Sequence, residues 1–389
     1  MMALAWASSP SSVKLRFRGG GGGGGKMTTT SATPLVKKRS SSPSAHLLGG
    51  RRVRVAATAT ATATAASYDE DEKYLETVEL MRRLDEDGWV EEHMLSLLTP
   101  VAEAWQPADL LPSFSATADE QRSQVAELQA RAAAVPDELL VCLVGNMVTE
   151  EGLPTYMTMG NRVGSPHAIS DATGCDAHGW ARWLRGWAAE ENRHGDLLNR
   201  YLYLCGRVDM GQVERTVHGL LRGGMRMLRP ACPYHAFVYG AFQERATFVS
   251  HARTARRAAL HGDACLARLC GAIAADERRH EAAYTRAVAR ALEADPDGVV
   301  RALAAVMRAK RAGVYTAADY GDMVEHFVRR WGVAELAGLS GEGRRAQDYV
   351  CGLPGKIRRM EELAHDRAAQ KEAQYVSFSW VFDRPVRVH

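Results

Sequence analysis

One five-residue pattern, acid-Glu-x-Arg-His, occurs twice in this chain, as EENRH at 190–194 and as DERRH at 276–280. Each copy sits inside an apolar run spaced like the inner face of a helix. Around the first, Trp180, Leu184, Trp187, Glu191, His194, Leu198 and Tyr201 advance in alternating steps of four and three. Around the second, Leu266, Cys270, Ile273, Glu277, His280 and Tyr284 do the same. That alternation keeps one stripe of a helix turned towards a core. In both stripes a Glu and a His, one turn apart on the same face, stand where an apolar residue belongs. A buried carboxylate without a partner is too costly to stand alone. The interior must supply a compensating charge, and a cation is the simplest one.

Two more stripes carry a lone acid. Leu143 and Met147 lead to Glu150 or its neighbour Glu151, and Phe237 and Ala241 lead to Glu244. The order Glu, Glu-x-x-His, Glu, Glu-x-x-His is a tandem repeat of a two-helix unit, which gives a site with approximate two-fold symmetry. One Glu from each of two helices and Glu-x-x-His from each of two others is the donor set of ferritin-like di-iron carboxylate bundles. Oxygen-rich ligation with two imidazoles suits iron or manganese, whereas structural zinc favours thiolates and a closed tetrahedron. The candidate ligands are Glu150, Glu191, His194, Glu244, Glu277 and His280. Glu190 and Asp276 either join them or act behind them. The preferred reading has each accept a hydrogen bond from the metal histidine of the opposite repeat and so fix its tautomer. Thr247, one turn after Glu244, either aims its hydroxyl at the metals or bonds its own helix.

The rest of the chain fits an all-α bundle with extra helices. The pattern predicts helices from Pro136 to just before Pro154, from about His178 to Cys205, over about 209–228, from after Pro233 to about Leu260, and from about Asp263 to Glu293. The best strand candidate is SFSWVF (377–382), the basis for a small C-terminal β-hairpin. No apolar run is long enough to span a membrane. His167, His178 and His251 have no partner pattern and read as structural or exposed.

Charge is unevenly placed. Residues 1–68 hold ten Lys or Arg and no acid, leaving 39 basic and 46 acidic residues, a net of −7, for the remainder. The formal +3 of the whole chain therefore belongs to its leader, and overall charge gives no case for nucleic-acid binding. The leader is rich in Ser, Thr, Ala and Arg and includes seven consecutive glycines, Gly19–Gly25. That composition predicts an organelle transit peptide over residues 1–66, with a single folded domain over 67–389. Seven cysteines without a CxxC point to reduced thiols rather than a disulfide frame.

Several long segments resemble one family. EENRHGDLLNRYLYLCGRVDM (190–210), FQERATFVSHARTAR (242–256), IAADERRHEAAYT (273–285), WQPADLLP (105–112), TEEGLPTY (149–156) and AQDYVCGLP (346–354) are similar to the soluble plastid acyl-acyl-carrier-protein desaturases of plants. The resemblance covers roughly residues 77–389. It implies a ferritin-like domain with two Fe(2+) ions per chain. It also implies O2-dependent insertion of a cis double bond, at carbon 9 of a saturated C18 or C16 acyl chain on acyl carrier protein, with electrons from ferredoxin. Family members work as homodimers in the chloroplast stroma, in fatty acid biosynthesis. The family's ligands match Glu150 rather than Glu151, then Glu191, His194, Glu244, Glu277 and His280. Its dioxygen-side threonine matches Thr247, its electron-entry tryptophan Trp105, and the acid bridging towards a metal histidine Asp276. Two features depart from the family. The stretch after Met307 is shorter by most of a helix with its connection. Thr99 and Ala104 stand where the family tends to carry lysines, which shifts carrier docking to clusters such as Arg222, Arg226 and Arg229. The rivals are a di-iron family member of altered specificity, a degenerate member that turns over weakly because of the shorter stretch, and, from another class, a non-catalytic iron-binding or storage protein, against which the Trp-rich inner faces argue.

Overall fold

The computed structural model describes residues 74–113, 117–164, 168–170, 173–224, 232–309, 317–368 and 374–388. The leader, His167, Arg226, Arg229 and residues 310–316 of the shortened stretch lie outside them. The architecture is helical with one small hairpin. Four long elements carry the stripes: α1 (Asp137–Glu150), α2 (Gly179–Cys205), α3 (Pro233–Leu260) and α4 (Ala264–Ala294). Three more helices, α5 (Pro296–Ala309), α6 (Ala317–Arg330) and α7 (Gly341–Ala368), pack on one another and reach the bundle through α3 and α4.

Local chemistry places the ends of these helices. Pro233 opens α3 at a position whose N–H would be unsatisfied anyway. Asp263 caps α4 by accepting from the Leu266 N–H at 2.8 Å, and Tyr201 of α2 donates to the same carboxylate at 2.6 Å. Gly206, at φ 66°, stops α2 in the left-handed conformation that glycine allows. The helix expected over 209–228 runs only Met210–Gly223, because Gly224 turns the chain at φ 70°.

α1 pairs with α2 and α3 with α4; α1 also meets α3, and α2 meets α4. The four form a closed ring around one axis. The buried apolar residues fall into two clusters. One holds Trp180, Trp183 and Trp187 of α2 with Phe237 and Phe242 of α3 and Tyr284 of α4. The other holds Leu140, Leu143 and Met147 of α1 with Leu198 and Tyr201 of α2 and Leu266, Cys270 and Ile273 of α4. The Glu and His of the stripes lie between the two.

The hairpin pairs β1 (Gln374–Phe378) with β2 (Arg384–Val388), antiparallel, with Val376 opposite Val386. The small C-terminal hairpin is present, but of the strand candidate 377–382 only Ser377 and Phe378 lie in a strand. β1 ends at Phe378, and a 3-10 turn (Ser379–Val381) leads into Phe382 and Asp383, both with positive φ. Alternating apolar residues alone cannot reveal that turn. Trp380 and Val381 bury against α1, and Arg384 pairs with Asp137 at 2.5 Å. Among the described residues no single helix is long and apolar enough to cross a membrane.

Phe242 is fully buried and its ring packs 4.4 Å from that of Phe327 on α6. Truncation leaves a cavity where α3 meets α6. Phe242→Ala is expected to destabilise the fold by about 3–5 kcal/mol in urea unfolding; a loss well under 1 kcal/mol would contradict this packing.

Candidate metal centre

The six candidate ligands converge. Glu150, Glu191, His194 and Glu277 form one group whose ligand atoms lie within 4.8 Å of one another; Glu191, Glu244, Glu277 and His280 form a second. Glu191 and Glu277 belong to both. The arrangement is thus two overlapping four-donor sets with two shared carboxylates, each set completed by one private Glu and one His. All six residues are at most 5 % exposed. Period-3.6 placement explains how they meet. Each stripe faces the bundle axis, and the antiparallel pairing of α2 with α4 brings the two Glu-x-x-His motifs level.

The donor set fits cations. The Oε1 atoms of Glu150, Glu191 and Glu277 and the Nδ1 atoms of His194 and His280 make no hydrogen bond of good geometry, although some lie close to one another. His280 Nδ1 lies 2.8 Å from Glu191 Oε1 and 3.6 Å from Glu244 Oε2, and His194 Nδ1 lies 3.4 Å from Glu277 Oε1. Four carboxylates carry four negative charges, which two divalent cations would balance with both imidazoles neutral. Without that charge the acids strain one another. Burial, then the charges of Glu277 and Glu150, push the Glu191 carboxyl up to about 8. Burial and the Glu191 charge drive Glu244 well above the usual range. Burial works on Glu277 too, but the hydrogen bond and charge of His194 outweigh it and hold this carboxyl down at about 2.

The outward ring nitrogens are engaged. His194 Nε2 lies 3.2 Å from Asp276 Oδ2, and His280 Nε2 lies 3.0 Å from Glu190 Oε2. Each histidine therefore meets the acid of the opposite repeat. A carboxylate acceptor keeps the proton on Nε2 and leaves the Nδ1 lone pair facing the other donors. Two arginines brace these acids. Arg193 donates to Asp276 at 3.1 Å, and Arg279 to Asp276 at 2.8 Å and to Glu190 at 3.0 Å. Both also grip the segment before the bundle: Arg193 bonds the Trp105 carbonyl at 2.6 Å and Arg279 the Leu97 carbonyl at 3.1 Å. The Thr99 N–H donates to Glu190 at 2.7 Å. Trp105 lies nearly parallel to the His194 ring, 6.0 Å away, with the Arg193 guanidinium over its face.

Thr247 has its helix carbonyls at 3.1 Å, but its nearest acceptor is Glu277 Oε2 at 2.7 Å. It and the four candidate carboxylates line an apolar cavity of about 140 Å³, walled by Trp183, Trp187, Phe237 and Tyr284. Gly240 permits that wall, since a Cβ there would fall 2.8 Å from the Tyr284 ring. Three residues of the centre were missed from sequence. Arg193 and Arg279 carried a signal, the Arg that precedes His in both motifs. His251, 3.5 Å from Glu150, carried none. His178 pairs with Asp85 at 3.0 Å, away from the centre.

Comparison with known proteins places this geometry. The fatty acid desaturase family profile matches residues 76–311 and 308–382, two stretches that overlap at residues 308–311. Acyl-acyl-carrier-protein desaturase 4, chloroplastic, of Oryza sativa subsp. japonica is 63 % identical over 345 residues, covering 80 % of this chain and 81 % of that protein. Desaturase 7 of the same subspecies is 60 % identical over 329 residues, 77 % of this chain and 81 % of the relative. Stearoyl-acyl-carrier-protein 9-desaturase, chloroplastic, of Ricinus communis is 49 % identical over 336 residues, 80 % and 83 % of the two chains. The chain belongs to the fatty acid desaturase family and, within it, to the plant acyl-acyl-carrier-protein desaturases.

Proposed function

We propose that this protein is an oxidoreductase that introduces a cis double bond, at carbon 9, into a saturated C18 or C16 acyl chain on acyl carrier protein. The reading takes two Fe(2+) ions per chain, dioxygen, and electrons from reduced ferredoxin. One observation carries it: two four-donor groups sharing Glu191 and Glu277 stand against an apolar cavity. The relatives' printed names supply the substrate class.

When bound, the iron pair supplies the oxidising power to take hydrogen from an unactivated methylene. The chain's own residues do the rest. Glu150, Glu191, His194, Glu244, Glu277 and His280 would hold the two ions, Glu191 and Glu277 being common to both donor groups. Asp276 and Glu190 keep each imidazole in the ligating tautomer. Trp183, Trp187, Phe237 and Tyr284 exclude water and align the acyl chain. Thr247 sets a hydroxyl on the cavity side, where it donates to Glu277. Trp105, stacked on His194 and tied to Asp276 through Arg193, is the entry side for electrons. Residues 1–66 act as a plastid transit peptide and 67–389 as the mature enzyme, a homodimer in the stroma. Their composition and the chloroplastic relatives support this. Arg222 is exposed and available to an acidic carrier.

The direct test supplies residues 67–389, loaded with ferrous iron, with ferredoxin, its reductase, NADPH, dioxygen and stearoyl- or palmitoyl-carrier protein. Mass spectrometry after derivatising the double bond is expected to show a monounsaturated product broken at carbon 9. A product at another carbon would revise the regiochemistry. Bound iron without product would favour a family member impaired by the shortened stretch after Met307. Asp276→Asn is expected to keep the fold and lower metal affinity or turnover by roughly 10- to 100-fold; wild-type loading and turnover would exclude its role. Metal uptake is expected to release protons at pH 7 and to tighten as pH rises through about 8, since Glu191 holds its proton up to there without metal. Calorimetry in buffers of different ionisation enthalpy reads this, and a buffer-independent heat would contradict it.

A further inference from the structure

His251 lies on α3, two turns beyond Glu244, and is fully buried. Among the described residues it is the one fully buried histidine besides His194 and His280. Neither of its ring nitrogens has a hydrogen-bond partner. Its Nε2 lies 3.5 Å from Glu150 Oε1, an oxygen equally without a partner. An imidazole left so costs on the order of 1–3 kcal/mol for each unsatisfied group, which an apolar residue at this position would avoid.

The surroundings are polar in the same direction. Ser250, next in the chain, donates to Asn146 Oδ1 at 2.9 Å. Asn146 is buried on α1, one turn before Glu150. Asn146, Ser250 and His251 thus form a polar strip along the α1–α3 seam that ends at Glu150. None of the three lines the apolar cavity. The tandem repeat breaks here. The counterpart of His251, seven residues after Glu150, is Met157, and the counterpart of Asn146, one turn before Glu244, is Gly240; His280 Nδ1, itself a candidate ligand, lies 3.6 Å from the Glu244 carboxylate.

We propose that His251 is a positioning residue: its Nε2–H hydrogen-bonds Glu150 Oε1 and holds that carboxylate for the metal position it shares with His194. The inference rests on reading the centre as a pair of metal positions. The bond commits one oxygen of Glu150 to the protein, whereas Glu244 has no such partner outside the candidate ligands: its neighbours are His280 and Glu277.

The test titrates the metal-free full chain with manganese(II) alone, followed by calorimetry and electron paramagnetic resonance. Wild type is expected to take two ions in two steps of different affinity. His251→Leu should weaken one step by roughly tenfold and leave the other unchanged. His251→Gln, which keeps an N–H donor, should stay close to wild type in both affinity and spectrum. If the Leu variant does not fold by circular dichroism, His251→Met serves as the apolar variant. The proposal is overturned if the apolar variant changes neither step or both equally, or if Gln behaves like the apolar variant. A wild-type chain that binds no manganese would overturn the metal-centre reading itself, so the two failures are distinguishable.

Discussion

Four carboxylates buried in the middle of an apolar bundle repel one another, and the rest of the structure answers that repulsion. The helices must be long, because the acids need apolar turns on either side to be kept from water. Two imidazoles must sit between the acids. Those imidazoles need acceptors behind them, which Asp276 and Glu190 provide, and these in turn need Arg193 and Arg279. Each layer of charge is balanced by the next one out, until the arginines end on backbone carbonyls of the segment around Trp105.

The centre consequently has two unlike sides. On one, the guanidinium and carboxylate network ties the histidines to residues 97–105, near the surface. On the other, the same carboxylates open on a cavity walled by indole and phenol rings. The four carboxylates, with Thr247 among them, are where the charged network and the apolar cavity meet.

Much of this was legible in the sequence, for a definite reason. A Glu and a His at positions where a 3.6-residue stripe demands Leu can be spotted without knowing how helices pack, and two matched copies make chance an inadequate explanation. The preference for cross-repeat acceptors at Glu190 and Asp276 also needed only the symmetry of the repeat. His251 was invisible because its meaning depends on the rotation of α3 against α1, which no single helix encodes. The two arginines looked like solvated charge because an Arg beside a His has no preferred side until the neighbouring helix is in place. The helix over 209–228 came out short because one glycine outweighed the apolar pattern, and SFSWVF read as a strand because its turn residues, Phe382 and Asp383, adopt positive φ without a glycine to announce it.

The charged layer also divides the hydrophobic core, leaving the tryptophan-rich cluster on one side and the leucine-rich cluster around α1 on the other. Apolar contact is what normally makes a domain melt as a unit. Here the two halves are joined across the layer by continuous helices and by electrostatics, so whatever neutralises the acids also sets how strongly one half senses the other. The balance of charge in that layer therefore bears on mechanical continuity as well as chemistry, and the cooperativity of unfolding becomes a gauge of how fully the acids are neutralised.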